Sequence, residues 1–469
     1  MKKTRPTLLG VIHIVFVSLL LLGNNVLAEK YKNPLFKTND RVCFVGNSIT
    51  FGGEFHHNIL LYQLTRFPGE NVNFYNCGIA GNSVAGVLAR MDTDILINQP
   101  THAILMIGMN DVARYLYGPK ISYNVDTLRM REEALTLYKS NLEKLVRIFI
   151  SNKVQLTLQK PSIYDQTAML PTANNLGVND ALKNCADFIE TLAVKYKLSV
   201  VDYWSIMHQI NIEQQKNDPS FTLISQDRVH PQSTGHFIMA YQYLKTFQGP
   251  QYVSKIFISK NQKRINDLCQ NCYVSKVHWS SKELIFSVFE KSLPFPIVSN
   301  QVKALELVPF VAELNQEILQ VTELINGKYE LIIDNKSIGS FTSIQLKEGI
   351  NLALIQETPQ YQQALKVREE LDKLWQYEAK LRSLKFVEYL SDFQKYNGKV
   401  KTNQIRQKLD SVYSIQKKSS ANWILSKVDE YVANKSSENL YKSNSEALRK
   451  EALKQAQPTV HTFKLILKK

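Results

Sequence analysis

A serine hydroxyl attacks carbon only when a base takes its proton, and a histidine base works best when an acid holds it in one tautomer. The chain carries these groups at a spacing that suits such a relay. Gly46-Asn47-Ser48-Ile49-Thr50 follows the apolar run Val42-Cys43-Phe44-Val45. A buried strand there would deliver the Ser48 hydroxyl to the carboxyl edge of a sheet, where open α/β folds bind their ligands. Far along the chain, Asp227-Arg228-Val229-His230-Pro231 sets an acid and an imidazole three residues apart. One loop can then turn His230 toward the serine while Asp227 reaches the far ring nitrogen. Pro231 suits the first turn of a helix starting near Gln232, which would brace that loop from behind. Singly, each segment has a plainer reading, because Gly-Asn-Ser favours turns and Asp is a common helix cap.

Attack on an acyl carbon also makes an oxyanion, which needs donors fixed in advance. Two glycine-containing stretches follow strand-like runs and could supply them. After Phe74-Tyr75-Asn76 comes Cys77-Gly78-Ile79-Ala80-Gly81-Asn82-Ser83, a turn into a helix that can offer a backbone N–H. After Ile104-Leu105-Met106-Ile107 comes Gly108-Met109-Asn110-Asp111, where Asn110 can offer its side-chain amide. A strand-end position beside Ser48 sets both apart from ordinary turns.

With these four segments in order, residues 41–246 resemble the SGNH hydrolases, also called GDSL-type esterases. The resemblance implies Ser48 as nucleophile and a donor through its own N–H, and Gly81 rather than Gly78 as the second donor. It implies Asn110 as the third donor, with Asp227 and His230 completing the triad. The sequence departs from the family at Asn47, where an aspartate is usual. An α/β-hydrolase elbow would instead read Gly-x-Ser-x-Gly, and Thr50 stands at its fifth position.

The elements that must position these groups alternate in the manner of a parallel sheet covered on both faces. Strands are expected at Val42–Val45, Val72–Tyr75, Ala103–Ile107, Val154–Leu158 and Leu198–Val201. Helices are expected at Asn58–Phe67, Ser83–Met91, Asp126–Ile150, Asn179–Tyr196 and Ser233–Phe247. The fold class is therefore α/β, a three-layer α/β/α sandwich on a five-stranded parallel sheet, over residues 29–250. Residues 251–358 read as a small β-rich element, with Asn326-Gly327 and Asp334-Asn335 as hairpin-type turns. Residues 359–469 read as helical, with Leu365, Leu371, Leu374, Trp375 and Tyr377 on the first helix.

Export is the expected fate. Lys2, Lys3 and Arg5 precede an apolar run from Leu8 to Leu22, and Val26-Leu27-Ala28 offers a cleavage site, so residues 1–28 read as a signal peptide. The run is shorter than the ~20 apolar residues of a spanning helix. The predicted location is the periplasm, the cell surface or the medium. Residues 29–250 carry 21 Lys and Arg against 19 Asp and Glu, whereas residues 251–469 carry 33 against 23. The basic excess thus lies outside the region with the chemistry, and a solvated lysine-rich face explains it more readily than an acidic polysaccharide or an anionic surface as partner. Without a zinc-finger pattern or basic runs interleaved with aromatics, nucleic acid is a poor partner.

Cys43, Cys77 and Cys185 lie in apolar segments and read as core residues. Cys269-Gln270-Asn271-Cys272 could close as a local disulfide in an exported protein, but lacks the partners of a zinc site. His56 and His57 are read either as cleft residues or as a helix-end pair without a catalytic part. Asp111 is read as orienting Asn110 or capping the next segment, Tyr115 and Tyr117 as a possible sugar platform, and Trp204 as core or cleft wall. The expected activity is hydrolysis of an acyl ester, most plausibly acetyl on a carbohydrate, with no cofactor and no metal. A lipase-like or thioester acylhydrolase and a non-catalytic glycan-binding protein are the alternatives.

Overall fold

The computed structural model describes residues 34–262, 264–390, 407 and 419–468; the expected signal peptide, residues 1–28, lies outside the described residues. Strands β1 (Arg41–Gly46), β2 (Asn73–Gly78), β3 (His102–Met106), β4 (Gln155–Lys160) and β5 (Ser199–Asp202) form one sheet in the order β2-β1-β3-β4-β5. Every pairing in it is parallel. Val42, Cys43, Phe44 and Val45 are all fully buried, because both faces of a parallel sheet are covered. Their side chains alternate, as a strand requires. Val42 and Phe44 join the core beneath helices α2 (Glu54–Arg66) and α7 (Ser233–Thr246). Cys43 and Val45 join that beneath α4 (Val125–Ser151) and α5 (Val178–Tyr196). Between β1 and its two neighbours the strand order reverses, so the carboxyl end of β1 opens onto the crevice where such sheets place their sites.

Three further helices complete this domain: α1 (Ser48–Gly52), α3 (Val84–Ala89) and α6 (Tyr203–Gln215). The expected strands and long helices match the observed ones closely, but α1 and α6 were not expected. In α6 only Tyr203, Met207 and Asn211 are buried, too sparse a stripe to read as helical. Its start is fixed by the Asp202 side chain, which accepts from the Ser205 N–H.

Beyond residue 250 two smaller sheets pack face to face. One has the order β11-β10-β13-β8-β7, built from β7 (Cys272–Trp279), β8 (Glu283–Glu290), β10 (Lys328–Ile333), β11 (Lys336–Thr342) and β13 (Val460–Leu467). The other joins β6 (Tyr252–Ile258), β9 (Gln316–Val321) and β12 (Ile350–Asn351). Ile256, Leu319 and Val321 meet Phe286, Leu331 and Phe463 in their common core. Asp334 and Asn335, both at positive φ, make the tight turn between β10 and β11. The expected division at 358/359 needs correcting, because β13 comes from the chain's end and sits mid-sheet between β8 and β10. Its alternation was lost beside the helical stretch that precedes it.

That stretch includes α11 (Pro359–Glu388), α12 (Ser419–Asn434) and α13 (Glu438–Gln455), after the short helices α8 (Ala304–Leu307), α9 (Phe310–Leu314) and α10 (Ser343–Glu348). Helix α11 begins with Thr358 as cap and Pro359 in its first turn. Ala364, Val367 and Leu371 of α11 enter the same core as α2 and α7. Farther along, Leu384, Phe386 and Val387 enclose Ile79, which follows β2. The helical region therefore packs directly on the α/β domain. Among the described residues, no helix is long and apolar enough to cross a membrane.

Candidate active site

Ser48 opens α1 directly after β1. Asn47 caps that helix, its Oδ1 accepting from the Ile49 N–H at 3.1 Å. The capping bond needs a side-chain oxygen and no charge, so Asn47 serves where an aspartate is usual. Glycine at 46 is dictated by space, since a Cβ there would lie 2.6 Å from the Met106 carbonyl oxygen.

His230 reaches this serine from the loop before α7. Its Nε2 lies 2.7 Å from Ser48 Oγ, and its Nδ1 lies 2.5 Å from Asp227 Oδ2. Asp227 Oδ1 accepts from Ser225 Oγ and from the N–H groups of Val229 and His230. Burial works against the charge on Asp227, but the hydrogen bonds from His230, Ser225 and Val229 outweigh it and hold the carboxyl well below the usual aspartate range. With Asp227 ionised, His230 carries its proton on Nδ1 and presents a bare Nε2 to the serine hydroxyl.

The loop is closed locally by Ser225 N–H to His230 O and Arg228 N–H to Ser225 O. Arg228, one of the two residues between acid and base, adopts φ +64° and is 2% exposed. Its guanidinium donates to the carbonyls of Asp165, Ala168, Leu170 and Thr172, so the loop that follows β4 braces the acid–base loop. Sequence reasoning passed over Arg228; its only signal was a basic residue inside the Asp-x-x-His unit.

The candidate oxyanion donors lie on neighbouring strand ends. Among the described residues, neither the Ser48 N–H nor the Gly81 N–H meets an acceptor. Gly81 sits at φ +78°, which favours glycine although a Cβ there would meet open space. Gly78 differs, since a Cβ there would meet the Phe51 nitrogen at 2.2 Å, so it serves close packing. Asn110 Nδ2 donates to the Asn82 carbonyl at 2.9 Å, leaving its second N–H available. Its Oδ1 accepts from Arg114 Nη2 at 3.1 Å, which fixes which end of the amide faces the cleft. Asp111 ties two loops together: its Oδ1 accepts from the Val84 N–H at the start of α3. Burial pushes the Asp111 carboxyl up to about 6.

His56 and His57 lie under α11 rather than in the cleft. His56 donates from Nε2 to the Thr50 carbonyl, and His57 stacks on Trp375 at 4.2 Å. Burial lowers both, and His236, to about 3, so all three are neutral. Tyr117 is buried with Arg131 over its ring, which removes it as a platform, while Tyr115 is 69% exposed. Trp204 lies in α6 and donates to Asn179 Oδ1. Cys43, Cys77 and Cys185 are buried, and Cys269 and Cys272 are free thiols in the β-rich part. Among the described residues, no group of three or more His, Cys, Asp or Glu side chains is arranged to hold a metal ion.

This fold and this array of groups define an acyl-transferring hydrolase. Residues 42–242 match the family model for GDSL-like Lipase/Acylhydrolase, a class of carboxylic ester hydrolases. An acetylxylan esterase from Geobacillus stearothermophilus is 23% identical over 227 residues, covering 44% of this chain and 94% of that protein. A solved structure described as a gut microbial diltiazem-metabolizing enzyme is similar over 94% of this chain and 100% of its own, with 28% identity and a TM-score of 0.84. That likeness spans the β-rich and helical parts as well. A crystal structure of the Geobacillus acetylxylan esterase covers 45% of this chain and 94% of its own, at 22% identity and a TM-score of 0.36.

Proposed function

We propose that this protein is an exported serine esterase that removes acyl groups, acetyl above all, from a carbohydrate. The observation that carries the reading is the unbroken hydrogen-bond chain from Ser48 through His230 to Asp227, at 2.7 and 2.5 Å. Ser48 Oγ attacks the ester carbon as His230 Nε2 takes its proton, and Asp227 stabilises the imidazolium. The negative oxygen of the tetrahedral intermediate is received by the N–H groups of Ser48 and Gly81 and the Asn110 amide. Collapse expels the alcohol, which leaves with the proton held by His230, and the acyl group stays on Ser48. Water then attacks with His230 again as base, releasing the acid and restoring the serine. No cofactor or metal enters this sequence. The expectation of acetyl on a sugar is supported by the acetylxylan esterase relative.

The similarity to a diltiazem-metabolizing enzyme over nearly the whole chain favours a second reading, a small-molecule ester as substrate. The chromogenic-ester test decides the mechanism: the mature chain should hydrolyse an aryl acetate, and Ser48→Ala should not. Equal rates would sink the esterase mechanism. A panel of acetylated oligosaccharides and diltiazem, scored by released acetate, separates the two substrate readings. Export is supported by the sequence of residues 1–28 and predicts that the secreted protein begins at Glu29.

A further inference from the structure

We propose that Arg382, on the C-terminal helix α11, is a positioning residue for the oxyanion hole and acts through two buried charges beneath it, Asp94 and Arg90. The inference rests on the esterase reading above. Arg382 donates from Nη1 to Asp94 Oδ1 at 2.8 Å and from Nη2 to Asp94 Oδ2 at 2.9 Å. Its Nε and Nη2 also donate to the Gly78 carbonyl, at 3.2 and 2.9 Å. On the other side of the carboxylate, Arg90 donates to Asp94 Oδ2 at 2.5 Å, to the Asn82 side-chain oxygen at 2.7 Å and to the Gly46 carbonyl at 3.2 Å.

The anchors of this cluster bracket all three donors. Gly46 stands two residues before Ser48, Gly78 and Asn82 flank Gly81, and the Asn82 carbonyl holds the Asn110 amide. Arg90, Asp94 and Arg382 are 1%, 4% and 7% exposed. Burial alone would lift the Asp94 carboxyl, but the two guanidinium groups more than reverse this and keep it ionised. Only a planar fork can serve a carboxylate and a carbonyl together from one side, which is what arginine offers and lysine does not.

Removing Arg382 leaves an Asp94 oxygen and the Gly78 carbonyl short of donors in a site closed to water. The segment from Gly78 to Asn82 then loses its floor, and the Gly81 N–H and Asn82 carbonyl shift with it. Donors to an oxyanion act in the transition state, so their displacement lowers kcat and leaves KM nearly unchanged. Residues 359–388 thereby belong to the catalytic unit, although they lie far outside residues 42–242.

The test uses the full chain, an aryl acetate and four variants: Arg382→Met, Arg382→Lys, Tyr389→Phe and Ser48→Ala. Tyr389 bonds Thr93 at 2.8 Å just past the end of the same helix, so loss of its hydroxyl weakens docking without removing any hydrogen bond of the charged cluster. In Arg382→Met, kcat per folded molecule should fall about 10–100-fold with KM within about threefold, and Arg382→Lys should recover part of the loss. Tyr389→Phe should lower the melting temperature and keep kcat. Should the Met variant not fold, the Lys variant decides: a kcat more than threefold below wild type, at unchanged KM, supports the role. A smaller loss in folded Arg382→Met, or in Arg382→Lys where the Met variant does not fold, overturns it, as does loss that tracks only the unfolded fraction or is matched by Tyr389→Phe. A wild type no faster than Ser48→Ala would instead defeat the esterase reading.

Discussion

The two halves of the site are held in different ways. The acid–base side is a local, half-exposed loop, in which Asp227 and His230 are three residues apart and their side chains are 49% and 46% exposed. The candidate oxyanion donors rest instead on a buried cluster assembled over long distances, with Asp94 and Arg382 separated by 288 positions. The acid–base loop is closed on itself and tied through Arg228 to the loop that follows β4. An oxyanion hole gains its effect from donors that do not reorganise, and a buried charged cluster supplies that stiffness. Acid and base thus lie three residues apart, whereas the cluster beneath the oxyanion donors joins residues from distant parts of the chain.

Substitutions on each side should break this contrast in order of size. Ser48→Ala and His230→Ala should each cost at least about 10³-fold in kcat, read with a chromogenic ester. Asp227→Asn should cost about 10²–10⁴-fold, because an amide at that position favours the wrong imidazole tautomer. Across the site, Asn110→Ala should lower kcat about 10²–10³-fold with little change in KM. Arg114→Met, which frees the Asn110 amide to flip, should cost about tenfold, again in kcat.

The smallest effect concerns stability under α11. Burial raises the Glu378 carboxyl to about 7, beside neutral His57. The folded state keeps a proton that the unfolded chain releases near 4.5, so stability falls as pH rises from there to about 7 and levels off above it. Glu378→Gln should flatten that decline, raising the melting temperature at pH 8 relative to pH 5 by roughly a few degrees. An unchanged difference between the two pH values would contradict the assignment.

The same contrast explains what the sequence revealed. Asp227-x-x-His230 was legible because its geometry follows from spacing alone, and the five strands were legible because a doubly covered sheet reads as unbroken apolar runs. Ser48 and Asn110 were found as residues near strand ends, whereas Gly81 was singled out over Gly78 by the resemblance to the SGNH hydrolases. Arg90, Asp94 and Arg382 were not found, since isolated charges in helical segments read as solvated until the fold buries them together. Helix α6 was missed for its sparse buried stripe, and β13 because a strand that completes a sheet from the far end of the chain carries no local mark of its partners.

The central claim is that Ser48 is the nucleophile of an esterase, and labelling measures it directly. The full chain is titrated with a fluorophosphonate, residual hydrolysis of an aryl acetate is followed, and the modified peptide is located by mass spectrometry. Activity should fall in proportion to one label per chain, and that label should lie on Ser48. Full labelling with activity retained, or a stoichiometric label on any other residue, would contradict the account.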